Sequence, residues 1–526
     1  MKTALSFVLL VYTNSETARL GESPMEPPRM NRSLTSLVLV VLAGIAVYAQ
    51  TAAPAANPIG ATDATSNLAL VRLGGQLLLA GKAYEYDRVL ADDIGPRLTG
   101  SPNYVKAVDW AIAEFTRMGL SNVHRESWEI AATWEPEMYA TASILAPHAQ
   151  RLHLESDGWS PSTPVGGVHG RVYYLSALTP DAIRKQADQI KGALVLVDRD
   201  SFSAGNEDAF DTMLDTLTLL ASQGAQALLL GEGAVNNVPS MFGLTCCSGR
   251  LASLPVANVG REDSLLLKRM LEHGPVQIEF SFTNRIREHV NVDNVVAEIP
   301  GNDASGEYVL VGGHLDSWQL GTGAEDNGTG AASVMAVAEA IKAIGLQPKR
   351  TIRFVLFGGE EEGLLGSIRY VRAHAAELDK CAGVFITDTG SEAPKGWAVF
   401  GREDEAQALK TIKPLLDSLD AGGTTELGKL TFGTDQGPFM IHGVPSFMLW
   451  TGSDKYRPLH HTPSDTFDKV DPRDLDLGAA VVGITAYTIA DAPSTLKHLS
   501  PAEVEDQFKK IKVLDEYKDM LAHHEF

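Results

Sequence analysis

The stretch YVLVGGHLDSW at residues 308–318, followed by GAEDNG at residues 323–328, decides how this chain folds. Its apolar beginning, Tyr308–Val311, is typical of a buried strand. A helical pattern runs from Thr329 to Ile344 and stops at Gly345. The stretch therefore predicts a strand, a loop that carries several polar side chains, and a helix that packs back on the strand.

Strands and helices continue to alternate on either side of this stretch. Further apolar runs at 351–357, 384–387 and 446–450 predict strands, and helical patterns separate them. Such alternation is typical of a mainly parallel sheet covered by helices. We predict an α/β fold with a mainly parallel, mixed sheet that helices flank.

The 526 residues exceed what one hydrophobic core normally organises, so more than one domain is predicted. Residues 68–149 and 286–495 are assigned to a larger domain in two parts. Between them, residues 150–285 have short β-rich runs and read as a smaller α/β module. Residues 496–526 are predicted to form a helical extension, in which Ser500 and Glu503 make a capping box.

The amino-terminal region is predicted to be a targeting segment. An apolar run from Leu34 to Tyr48 precedes a small-residue cleavage site, so residues 1–49 form the leader and Gln50 begins the mature chain. Met30 is an alternative start, which makes residues 1–29 an extension of the gene model. Residues 50–67 form a linker. The predicted location is secreted or periplasmic, without stable membrane insertion after the leader is removed.

The net charge and the cysteine content limit which partners and which metal ligands this protein can have. A net charge of -22 argues against nucleic acid and anionic lipid surfaces as partners. Three cysteines are too few for a disulfide framework or a thiolate zinc site. A metal in this protein must therefore be held by histidine and carboxylate side chains.

Candidate ligands follow four predicted strands: His314, Glu360 with Glu361, Asp388 and His461. Ligands collect at the carboxyl ends of strands in open α/β sheets, so these side chains are expected at one edge. Two divalent cations there clamp a water and a substrate oxygen, and a shared carboxylate is needed because bare cations repel. Of the adjacent Glu360 and Glu361, one is expected to bind metal and the other to face the water.

Each of these residues also has an ordinary structural interpretation. His314 alone would more often be a core histidine, and Asp388 alone could cap a helix. The run Glu360–Glu362 could be a solvated helix start, and Glu362 is expected to be structural or on the surface. The presence of Asp316 and Asp326 beside His314 favours the metal interpretation.

Four motifs together resemble the M28 family of zinc exopeptidases: HLD at 314–316, AEDNG at 324–328, EEEGLLGS at 360–367 and HT at 461–462. The resemblance covers about residues 68–490, and the middle module is similar to an inserted protease-associated domain. Trp318 and Tyr456 resemble the branch of plasma glutamate carboxypeptidase-like dipeptidases.

The resemblance implies two zinc ions per chain. One would be held by His314, Asp326 and Asp388, and the other by Asp326, Glu361 and His461, so Asp326 would bridge them. Glu360 would be the general base and Asp316 would orient His314. A non-proline cis peptide between Asp326 and Asn327 is also implied. His460 is expected either to donate to the oxyanion or to pack.

The resulting prediction is an exported two-zinc exopeptidase, an aminopeptidase or dipeptidase, that hydrolyses short peptides. The alternatives are a single-zinc acyl-transfer enzyme of the glutaminyl cyclase type and a non-catalytic, receptor-like relative. The sequence does not predict whether the enzyme binds the amino or the carboxyl terminus of a peptide. A substrate amine needs an acidic partner and a substrate carboxylate needs a cation such as Lys455 or Arg457, and both kinds of residue lie near the last ligands. A homodimer is plausible from the resemblance.

Overall fold

The computed structural model describes residues 64–199, 209–231, 234–243 and 251–523, apart from a few side chains. The predicted leader and most of the linker lie outside these residues. Helices of the described chain are α1 (Ala64–Ala80), α2 (Ala83–Arg88), α3 (Pro102–Arg117), α4 (Pro180–Lys185), α5 (Ala187–Ile190), α6 (Ala209–Ser222), α7 (Arg261–Leu271), α8 (Thr329–Ala343), α9 (Leu365–Ala373), α10 (Glu403–Leu409), α11 (Lys413–Asp417), α12 (Gly437–Ile441), α13 (Pro472–Asp491), α14 (Pro501–Lys510) and α15 (Leu514–His523).

The strands all join one mixed sheet. They are β1 (Ser121–Ala146), β2 (Gln150–Arg151), β3 (Leu154–Ser156), β4 (Val168–Tyr174), β5 (Ala193–Asp198), β6 (Ala227–Gly231), β7 (Val256–Val259), β8 (Gln277–Ile299), β9 (Tyr308–His314), β10 (Thr351–Phe357), β11 (Cys381–Ile386), β12 (Pro394–Ala398), β13 (Gly423–Thr425) and β14 (Ser446–Thr451). Their order is β13-β12-β14-β11-β9-β10-β8-β4-β5-β6-β7-β3, and β1 pairs with β8.

The strands that precede the candidate ligands are parallel neighbours. β9 lies between β10 and β11 and is parallel to both, and β11 is parallel to β14. Antiparallel pairing occurs where β8 meets β10 and where β12 meets β14. The predicted class, a mixed α/β sheet flanked by helices, is confirmed.

Alternate side chains of the central strands pack into different layers, as the period of two requires. Val309 and Val311 of β9 join a core cluster with α1, α3, α8 and α13, whereas Tyr308 and Leu310 pack with α9 and α12 on the other face. Both faces are therefore covered, which explains why these strands are apolar throughout.

The segment between β1 and β8 has hydrophobic clusters of its own. β5 and β6 place alternate residues in two clusters, one that includes α6 and one that includes α7. The long antiparallel pair of β1 and β8 joins this region to the main sheet, because β8 pairs with both β4 and β10. The assignment of residues 150–285 to a protease-associated domain stays a prediction.

Local expectations from the sequence can be compared with these elements. The capping box of Ser500 and Glu503 is present at the start of α14. The length of β1 was not anticipated, because its polar and apolar residues alternate only in part along 26 residues. Among the described residues, no helix is long and apolar enough to cross a membrane.

Candidate active site

The carboxyl ends of four strands bring the candidate residues together. His314 is the last residue of β9, while Glu360 and Asp388 lie just beyond β10 and β11. His461 lies in the loop between β14 and α13. His314 and Asp326 are buried, and the Glu360 side chain is 11% exposed, so the cluster opens only partly to solvent.

One side of the cluster is built around His314. Its Nε2 lies 3.1 Å from Asp388 Oδ1, 3.4 Å from Asp326 Oδ1 and 3.8 Å from Glu360 Oε2. Potential ligand atoms of His314, Glu360 and Asp388 all lie within 4.8 Å of one another. Glu360 is the most distant of the three carboxylates from His314 Nε2, but its position still allows it to bind a metal, which the motif did not anticipate.

The other side is built around His461. Its Nε2 lies 3.1 Å from Glu361 Oε2 and 3.3 Å from Asp326 Oδ2. Asp326 thus directs one carboxylate oxygen towards His314 and the other towards His461. This is the orientation that a carboxylate needs in order to bridge two cations.

The loop that carries Asp326 has unusual backbone geometry. The peptide bond between Asp326 and Asn327 is cis, as the resemblance implies. The side-chain amide of Asn327 donates to Thr387 O, and this bond connects the loop to the segment that leads to Asp388. The side-chain oxygen of Asn327 accepts from Gly330 N.

Asp316 lies behind His314 rather than in the cluster. His314 Nδ1 lies 3.1 Å from the Asp316 carbonyl oxygen and 3.5 Å from its Oδ1. Both neighbours of Nδ1 are acceptors, so a proton on Nδ1 would be hydrogen-bonded and would leave Nε2 for a metal. Asp316 Oδ2 also accepts from the Thr99 hydroxyl at 2.9 Å and from Glu361 N at 3.3 Å.

His460 is the most exposed of these histidines, with 38% of its side chain accessible against 11% for His461. Its ring stacks on that of His461 with centroids 3.7 Å apart, and its Nε2 lies 3.6 Å from Asp326 Oδ2. This position allows His460 to meet a bound ligand from the solvent side.

Aromatic side chains form a wall beside His461. The ring centroid of Phe242 lies 4.7 Å from that of His461, and the centroid of Trp318 lies 5.7 Å away. Phe242 also has the Arg199 guanidinium over its ring at 4.1 Å. Phe242 and Arg199 come from the middle segment, for which sequence reasoning found no site residues, because single aromatic and basic residues in a loop give no pattern.

Burial and mutual repulsion raise the pKa values of the two adjacent carboxyl groups, Glu360 and Glu361. Burial raises the pKa of Glu360 well above its ordinary value, and the negative charges of Asp388 and Glu361 act in the same direction. Burial likewise raises the pKa of Glu361 to about 7. Glu362 is fully buried, which excludes the surface alternative for this residue.

The donor set fits divalent zinc. Buried oxygens of Asp326 and Glu361 (Oδ2 and Oε1) make no hydrogen bond within the described part of the chain. Imidazole and carboxylate groups in this combination are those that zinc binds well. Positive ions would also relieve the repulsion among the carboxylates.

Comparison with known proteins agrees with this site. A model of Peptidase family M28 matches residues 294–484. Carboxypeptidase Q of Mus musculus is 31% identical over 79% of this chain and 87% of its own length. Aminopeptidase YwaD of Bacillus subtilis is 24% identical over 92% of this chain and 100% of its own length.

A solved structure supports the same assignment. The Peptidase M28 precursor from Shewanella amazonensis is 27% identical, with a TM-score of 0.72, over 83% of this chain and 99% of its own. The arrangement is therefore that of a metallo-exopeptidase, as predicted. The chain belongs to peptidase family M28.

Proposed function

We propose that this protein is an exported exopeptidase that hydrolyses short peptides with two zinc ions per chain. The observation that carries the proposal is the position of Asp326, whose two oxygens lie 3.4 Å and 3.3 Å from the Nε2 atoms of His314 and His461. A bridging carboxylate between two histidine-containing ligand groups is what a two-metal hydrolase requires.

The proposed ligands divide into two groups that share Asp326. His314, Asp326 and Asp388 would hold one zinc, and Asp326, Glu361 and His461 would hold the other. When bound, zinc would polarise the scissile carbonyl and lower the pKa of water towards roughly 7. Asp316 keeps the proton on His314 Nδ1, and so presents Nε2 as the ligand atom.

Glu360 is the proposed general base. It takes a proton from water as the water oxygen forms a bond to the scissile carbonyl carbon. It then delivers that proton to the leaving nitrogen as the C–N bond breaks, so it returns to its starting state. Burial raises its pKa above the ordinary value, which strengthens its tendency to accept a proton.

His460 is the proposed partner of the developing oxyanion. Its ring lies on the solvent side of His461 and is accessible to a substrate. A hydrogen bond from an imidazole N–H to the carbonyl oxygen would strengthen as charge develops there.

The remaining proposals concern the middle domain, export and the oligomeric state. Residues 150–285 are proposed to be a protease-associated domain that contributes Phe242 to the substrate pocket. Residues 1–49 are proposed to direct export, and a homodimer is proposed from the family resemblance. The relatives' names include both a carboxypeptidase and an aminopeptidase, so preference for either end of a peptide is left to experiment.

The test is hydrolysis by purified protein. A panel of free and terminally blocked dipeptides should release amino acids, a chelator should abolish the activity, and added zinc should restore it. Metal analysis should give two zinc ions per chain. One zinc per chain, with cyclisation of amino-terminal glutamine, would support the glutaminyl cyclase alternative; no bound zinc and no turnover would support the receptor-like one.

A further inference from the structure

The loop that presents Asp326 is held by a carboxylate from another ligand segment. Asp465 Oδ1 accepts from the backbone N–H of Glu325 at 2.7 Å, and its Oδ2 accepts from that of Asp326 at 3.2 Å. One carboxylate therefore binds two successive amides, the second of which belongs to the proposed bridging residue itself.

Asp465 is fixed at its own backbone as well. It lies four residues after His461, its N–H donates to Thr462 O, and its carbonyl oxygen accepts from Thr322 N at 2.7 Å. A Cβ at Gly321 would lie 2.6 Å from that carbonyl oxygen, so the close approach of the two loops requires glycine. The side chain is buried, and movement of one loop relative to the other is restricted.

Arg97 binds backbone carbonyl oxygens of the same region, whereas Asp465 binds backbone N–H groups. Its guanidinium donates to the carbonyl oxygens of Leu315 at 2.6 Å, Thr322 at 2.9 Å and Gly323 at 2.8 Å. Leu315 follows the ligand His314, and Gly323 precedes the loop of Asp326. The Asp465 carboxylate, which comes from the segment of His461, and the Arg97 guanidinium thus bind backbone amides and carbonyls of the segments that carry His314 and Asp326.

We propose that Asp465 is a positioning residue that sets the bridging orientation of Asp326, with Arg97 supporting the loop from its other side. This inference rests on the proposed function. A neutral side chain at 465 leaves one of the two amides without its carboxylate partner, and the Asp326 carboxylate is then no longer held between the two ligand groups. Loss of such outer partners typically weakens metal binding about 10–100-fold.

The experiment compares Asp465→Asn with wild type in the full chain. Zinc dissociation constants are measured on metal-free protein by competition with a chelator, and kcat and KM are measured separately with one dipeptide. We expect zinc binding to weaken about 10–100-fold and kcat to fall at saturating zinc, with KM little changed. Asp465→Ser, which is smaller, serves the same purpose if the asparagine variant does not fold.

Glu405→Gln is the matched control. Glu405 is also a buried carboxylate that accepts a backbone N–H, from Ser446 at 3.0 Å, and it lies beside Arg402 away from the zinc ligands. This control should lose thermal stability without a change in zinc affinity. Equal zinc affinity in Asp465→Asn and wild type, or equal weakening in Glu405→Gln, would overturn the inference. A wild type that binds no zinc would instead overturn the proposed function.

Discussion

Asp326 and Glu360 are carboxylates a few ångströms from the same imidazole, yet their surroundings shift their pKa values in opposite directions. Asp326 lies between two histidines, which hold its pKa well below the ordinary value despite burial. Glu360 has only His314 nearby as a positive partner, and burial raises its pKa. This contrast supports the proposal that Asp326 binds metal and that Glu360 accepts a proton.

At the residue scale, Glu360→Gln should abolish most of the activity without loss of zinc. Removal of a general base typically costs about 10²–10⁴-fold in rate. Glu361→Gln is the control, because it should lower the zinc content to about one ion per chain. Loss of zinc from the Glu360 variant would show instead that Glu360 is a ligand, as its distance to His314 permits.

His460→Gln should lower kcat by about 100-fold while both zinc ions stay bound, because loss of an oxyanion donor affects the transition state more than the ground state. The comparison variant is His498→Gln. His498 bonds the carbonyl oxygen of Cys381, outside the site, and its replacement should leave kcat unchanged. If kcat does not change in the His460 variant, His460 is not an oxyanion donor and its role is to pack against His461.

At the scale of elements, the end of α9 is joined to β1 by a histidine that lies between two carboxylates. His374 Nε2 lies 2.9 Å from Glu126 on β1, and its Nδ1 lies 2.6 Å from Glu377. Burial opposes the charge, but the two carboxylates dominate and raise the pKa of His374. The folded state therefore holds this proton more tightly than the unfolded state does.

This interaction should make part of the stability depend on pH. A raised histidine pKa gives stabilisation that is complete below about 6.5 and is lost as the pH rises through the folded value. His374→Gln should lower the free energy of unfolding by about 2 kcal/mol at pH 5.5, and by less at pH 9. Denaturant unfolding of both proteins across this range measures the difference, and a difference independent of pH would contradict the prediction.

The loop that carries Phe242 places an aromatic ring beside His461, where it is expected to contact the substrate. Phe242→Ala removes the aromatic surface next to His461, so KM for dipeptides should rise several-fold while zinc content stays the same. Phe432→Ala is a suitable control, since Phe432 packs on Phe508 in the carboxy-terminal region. An unchanged KM would exclude Phe242 from the substrate pocket.

At the scale of the whole molecule, zinc should stabilise the fold because its proposed ligands follow neighbouring strands that are far apart in sequence and that only the folded chain brings together. A ligand that binds only the folded state at 100 times its Kd adds about 2.7 kcal/mol. Thermal unfolding of metal-free protein should therefore shift upwards on addition of zinc. Magnesium at the same concentration should have little effect, because it disfavours imidazole ligands.

The sequence by itself determined the central strands that precede the candidate ligands, the helix after β9 and the types of candidate ligand, because these depend on local periodicity and on side-chain chemistry. Val309 and Val311 mark a buried strand whatever surrounds them, and His314 follows that strand at its carboxyl end. The family motif added the order of the ligands along the chain.

Only the tertiary structure decided the relations between distant segments. The two directions of the Asp326 oxygens, the carboxylate of Asp465 beneath them and the arrival of Phe242 beside His461 depend on contacts across the fold. The sheet formed by β1 and β8 likewise depends on pairing between residues far apart in sequence. Such contacts leave no local pattern, because each side chain acts through a partner that the chain delivers from elsewhere.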